Sequence, residues 1–162
     1  MEKWKEDLRN SLVKELEEQR RKQEDDKRKR DKIESEIEEF STSKIGPTFE
    51  ELRTELELEE EGYKLNVRVD KPNIHEQSIV VQNPYSNKEF RYTIHAEIEK
   101  TPEGEISPDG IRIYSVTTFG DIEGMRPQEK RGQPFNISKV TKEEIAQDFV
   151  DNLKQYVKDF VK

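Results

Sequence analysis

The sequence predicts an α+β protein: a long N-terminal helical arm over residues 1–45, followed over 46–162 by a small α+β domain. That domain is expected to hold a short helix, a four-stranded antiparallel sheet in meander order, and a C-terminal amphipathic helix packed on the sheet. Three observations lead there. The first 45 residues contain neither Pro nor Gly and carry apolar residues at helical spacing. Four later segments alternate apolar and polar residues with period two. The final segment opens with a capping box and continues with a helical apolar stripe.

Composition limits the size of the core. The chain has 162 residues, 41% charged and 30% hydrophobic, against about a quarter charged and just under half apolar in ordinary domains. Much of it must therefore face water. Cysteine is absent, which excludes disulfides, thiolate catalysis and Cys-ligated metals. The segment Met1 to Leu8 lacks the apolar stretch of a secretory signal, and no run approaches the roughly 20 apolar residues of a membrane span. The expectation is a soluble, cytoplasmic protein with no membrane association. A net charge of −8 argues against general binding to nucleic acid or anionic lipid.

In the arm, Leu12, Leu16, Gln19, Gln23, Asp26, Arg30, Ile33, Ile37 and Phe40 follow at alternating steps of four and three, a heptad seam with apolar ends and a polar middle. Trp4 and Leu8 extend the stripe in steps of four. The middle, Glu17 to Lys32, has no apolar side chain. It holds acid-before-base pairs four apart, from Glu17–Arg21 to Asp26–Arg30, each worth about 0.2–0.5 kcal/mol to a helix. The arm reads as a solvated helix, or as a coiled coil. An antiparallel pair centred near Arg28 would set Leu16 against Phe40 and Asp26 against Arg30. Lys27-Arg28-Lys29-Arg30 also resembles a phosphate-binding patch, but six acids among residues 17–32 dilute it. Met1 to Ile45 holds 13 basic and 14 acidic residues, the remainder 16 and 23. With Gly46-Pro47, where Pro disfavours helix continuation, this shift marks the expected boundary.

Thr48 to Glu51 reads as a capping box opening a short helix with Phe49, Leu52 and Leu56 on one stripe, ended by Gly62. Strands are expected over Tyr63–Val69, Gln77–Gln82, Phe90–Ile98 and Ile111–Phe119. Turns fall at Pro72, Pro84, Pro102–Gly104 and Pro108–Gly110. Gly120 to Ser138 shows no periodicity and reads as a long loop, locally basic through Arg126, Lys130 and Arg131, a candidate for partner or anion docking. Thr141 to Glu144 is a second capping box. Ile145, Phe149, Leu153, Tyr156, Val157 and Phe160 then mark the last helix, with Glu143 and Glu144 in its first turn and lysines in its last.

Catalytic constellations are scarce. His95 shares a strand face with Arg91, Glu97 and Glu99 by simple alternation, and His75 sits alone in a loop. No phosphate-binding loop, dinucleotide fingerprint, nucleophile elbow or zinc-protease motif is present. The sequence implies no catalytic set, no metal site and no cofactor. The reading it favours is a non-enzymatic protein-interaction, adaptor or chaperone-like protein. Its arm would hold a protein partner or a second copy through Leu12, Leu16, Asp26, Arg30, Ile33, Ile37 and Phe40, with Arg126, Lys130 and Arg131 as a further docking patch. Two alternatives stand beside it: a nucleic-acid binder using the basic part of the arm and the 126–131 loop, and a small-ligand binder or enzyme on the sheet face around Arg91, Tyr92 and His95. The element order recurs across unrelated α+β modules and assigns no family.

Overall fold

A computed structural model describes residues 2–57, 64–123 and 128–161 of the chain, with 108 and 109 as backbone only. Helix α1 runs from Lys3 to Phe40, a π-helical turn covers Ser41–Ile45, and α2 covers Gly46–Leu56. Strands β1 (Asn66–Asn73), β2 (Glu76–Asn83), β3 (Lys88–Lys100), β4 (Ile106–Asp121) and β5 (Gln128–Arg131) follow, then α3 (Lys142–Lys154) and α4 (Val157–Phe160).

The α+β class and the antiparallel meander are as expected, but the strand count is not. The sheet order is β1-β2-β3-β4-β5, and Phe135 adds a sixth short segment through a single antiparallel bridge to Ile113. The segment expected to be a long loop from Gly120 to Ser138 therefore contains β5, which pairs Gln128–Arg131 with Phe119–Val116. All four β5 side chains are exposed, so the strand has no apolar alternation to announce it. Strand β4 also starts earlier than expected. The backbone of 106–110 belongs to it, so the turn expected at Pro108–Gly110 is strand, while the one expected at Pro102–Gly104 is present.

One continuous helical stem carries the arm into the body, with no break at Gly46-Pro47. The apolar positions Ile33, Ile37, Phe40, Ile45, Phe49, Leu52 and Leu56 step by four, three, five, four, three and four. A π turn holds more residues than an α turn, so placing it across the five-residue step keeps Ile45 and Phe49 on the sheet side. Gly46 donates its N–H to Ser41 O across this turn, and a Cβ on Gly46 would stand 3.3 Å from that same oxygen. Thr48 is not an N-cap. Its hydroxyl donates to Lys44 O at 2.6 Å, inside a helix already running.

The helices pack on one face of the sheet. Phe49 lies edge-on to Tyr92 at 6.1 Å, and Phe149 lies edge-on to Phe90 at 5.5 Å and to Tyr92 at 5.6 Å. Such geometry places ring edges against ring faces, which favours it over a face-to-face sandwich. Ile33, Ile37 and Phe40 join the same cluster with Ile106, Ile113 and Ala96. Thr141 caps α3 as predicted, its hydroxyl accepting from Glu144 N–H at 3.1 Å. The C-terminal stripe is divided between two helices, because the chain turns at Gln155-Tyr156. Phe160 is buried by that turn and Val157 is left 41% exposed. Gly62 and Tyr63 lie outside the described residues.

Candidate functional site: an exposed arm and an open sheet face

Every residue from Glu2 to Lys32 is exposed. At about 1.5 Å per residue, that is a rod of roughly 45 Å standing clear of the body. It is not uniformly polar: Trp4 is 61% exposed, Leu8 56%, Leu12 55% and Leu16 62%, with Val13 beside them. Its described ion pairs are Lys5–Glu2, Arg20–Glu24 and Arg28–Asp25 at 3.2–3.7 Å, a different set from the acid-before-base pairs the spacing suggested. All are solvated, and such pairs contribute about 0.3–0.5 kcal/mol each.

The residues singled out along the arm separate into two groups. Leu12 and Leu16 are exposed, as are Asp26 and Arg30. Ile33, Ile37 and Phe40 are 8%, 1% and 4% exposed, because the chain's own sheet covers them. The alignment of Leu16 with Phe40 of a second copy thus needs a face that is already occupied. Where α1 leaves the body, Gly110 adopts φ +57, and a Cβ there would fall 2.9 Å from Ile33 Cδ1. Both the backbone conformation and the close approach call for glycine. A cleft of about 310 Å³ opens beside this contact, lined by Lys29, Lys32, Ile33, Glu36, Ile106 and Gly110 among others.

The opposite face of the sheet carries the second feature. His95 stacks on Tyr114 at 5.4 Å with an interplanar angle of 10°. The Arg131 guanidinium lies 4.2 Å from the Tyr114 ring centroid and donates to its hydroxyl at 3.0 Å. Tyr114 in turn donates to Glu97, and Arg112 also approaches the ring. Thus Arg131, expected in a loop, and His95, expected on a strand, meet at one place. Their partners are mutual: Tyr114 is only 3% exposed and is held between the His95 ring and the Arg131 guanidinium. Further along this face Asp70 bridges Arg68 at 3.1 Å and Arg91 at 3.8 Å, and Ser78 meets Thr93 at 2.7 Å.

Two other candidate residues lie elsewhere. Lys130 turns to the helical side, where it donates to Gln155 at 3.1 Å. Arg126 lies outside the described residues. Tyr92, placed by the sequence reading beside His95, points into the core with no exposure. Its hydroxyl donates to Asp148, which also accepts from Ser115 at 2.8 Å. Burial pushes the Tyr92 phenol far above its ordinary range, and the Asp148 carboxylate pushes it further. A protonated phenol donating to a carboxylate is a structural tie and leaves no base poised for chemistry. His75 makes a contact of 3.1 Å between Nδ1 and Ala96 O in the β1–β2 turn.

Among the described residues no group of three or more His, Asp or Glu side chains has metal-binding geometry, and no helix is long and apolar enough to cross a membrane. No protein-family model, curated protein or solved structure matches the chain.

Proposed function

We propose that this is a non-enzymatic interaction protein in which the α+β body anchors a helical arm, and the arm binds a protein partner or a second copy. The observation that carries the reading is the exposure of Trp4, Leu8, Leu12 and Leu16 on a helix whose residues 2–32 are all exposed. Burying one such side chain gains about 1.5–3 kcal/mol. A helix standing alone in water has only weak local pairs to offset its ordering cost. A stripe of four large apolar residues therefore favours association, and the charged middle keeps the same rod from collapsing onto its own body. The acidic body, with −7 of the net −8 beyond Ile45, suits an adaptor or helper that approaches a basic protein.

The full chain carrying Leu8→Lys and Leu12→Lys should lose association while keeping its melting temperature. Light scattering reads the mass. Trp4, the only tryptophan, reports burial of the stripe by a blue-shifted emission. If the emission of the unaltered chain stays that of exposed indole at high concentration and in a cell extract, the arm is not an interaction element.

A second reading, binding of nucleic acid or a small anion, draws on the exposed Lys27–Arg30 run and on Arg131 beside His95. It has less support, since Arg28 is paired with Asp25 and Arg131 with Tyr114. Salt-sensitive retention of a single-stranded oligonucleotide, lost with Lys27→Glu and Arg30→Glu, would favour it.

A further inference from the structure

We infer that the arm's occupant is a second copy of this chain, laid antiparallel on residues 2–18 and centred on Asn10. This rests on the arm being the interaction element and adds its partner, orientation and register.

The first argument is steric. At about 100° per residue, Trp4, Leu8 and Leu12 fall in the same half of the helix circumference as Ile33, Ile37 and Phe40. The sheet body already occupies that side at the arm's base, since those three residues are buried in its core. A parallel second arm lying on the exposed stripe would run along the same face into that body. An antiparallel pairing confined to the exposed stripe avoids that body. Centred on Asn10, it spans Trp4 to Leu16, and Leu16 lies about 26 Å before Ile33. The second body then lies on the far side of Trp4 from the first.

The second argument is pairing. This register sets Trp4 against Leu16 and Leu8 against Leu12 of the second copy, each twice by symmetry. Every member of the ridge meets an apolar partner, and all four are more than half exposed in the single chain. Centred near Arg28 instead, Leu16 would face Phe40, which is already covered, and Leu12, Leu8 and Trp4 would face Lys44, Thr48 and Leu52.

Charge is the third argument. Lys5 and Glu15 flank the ridge, and the same register places Lys5 of each copy opposite Glu15 of the other. A parallel in-register pair would stack Lys5 on Lys5, and would bring Lys27-Arg28-Lys29-Arg30 against its own copy. In the antiparallel pair that basic run lies about 50 Å from its own copy, which removes the repulsion.

The chain has no cysteine, so single introduced cysteines carry spin labels cleanly. In the full chain, labels at Asn10→Cys should be separated only by the width of the helix pair, on the order of 20 Å. Labels at Lys27→Cys should be about 50 Å apart along the axis. Glu15→Lys should raise the dimer dissociation constant roughly tenfold, and Lys5→Glu in the same chain should restore it. A dimer with similar distances at both sites, or one that the second reversal fails to rescue, overturns this pairing but leaves the arm as the interaction element. A monomeric full chain also overturns it. The wider reading then falls only if Trp4 emission is unmoved by cell extract.

Discussion

Asp148 accepts two hydrogen bonds at one carboxylate oxygen, from Tyr92 and Ser115, while Asn152 reaches its other oxygen at 3.3 Å. These contacts tie α3 to β3 and β4 from inside the core. Because Tyr92 is fully buried, its phenol stays protonated far above its ordinary value of 10, whereas in the unfolded chain it ionises near that value. The folded pKa is the higher one, so the stabilisation is complete below pH 10 and is lost as pH rises beyond it. Alkaline denaturation followed by tyrosinate absorbance should show one tyrosine that ionises only on unfolding. Tyr92→Phe should remove it, and at neutral pH cost about 1 kcal/mol for the lost hydrogen bond. A smooth, reversible titration of every tyrosine without unfolding would contradict this. Alternation along β3 sets Tyr92 in step with Phe90 and Ile94, although the ligand-site reading groups it with His95 on the wet face. Its tie to Asp148 was not legible, because the two lie 56 residues apart and only packing brings them together.

At the scale of elements, legibility tracked how much of the signal was local. The cap of α3 depends on residues three apart, Thr141 and Glu144, and the sequence located it. Thr141→Ala should therefore lower stability by about 1 kcal/mol, measured by denaturant titration, with Thr141→Ser close to the parent. The π turn was legible in principle, as a five-residue step in an otherwise regular stripe. Pro47 concealed it, since proline normally signals a helix boundary. Strand β5 carried no signal at all. It is held by backbone pairing to β4, with no side chain buried, and backbone hydrogen bonds leave no trace in side-chain type.

For the whole molecule, the consequence is that the arm has an exposed length and a buried one. Among the described residues, removing 1–32 takes away only exposed side chains, so the remaining chain should unfold cooperatively with nearly the parent midpoint. Removing residues 1–45 deletes Ile33, Ile37, Phe40 and Ile45 from the core cluster. Losing even one such side chain costs about 2–5 kcal/mol, against a typical total stability of 5–15 kcal/mol. That shorter chain should lack a cooperative transition by circular dichroism. Similar unfolding curves for the two truncations would mean that the arm's base contributes little to the body.

The sequence by itself determined the α+β class, the meander of adjacent antiparallel strands, the unbroken arm with its wet middle, and the cap of α3. Each follows from periodicity or propensity within a few residues. Only the tertiary structure decided which half of the arm's apolar stripe is available. Ile33, Ile37 and Phe40 look like Leu8, Leu12 and Leu16 in any heptad count, because the count records spacing along one helix. Whether a stripe is covered depends on a surface supplied by residues more than fifty positions away, Ala96, Ile106 and Ile113, and that surface exists only once the sheet has formed.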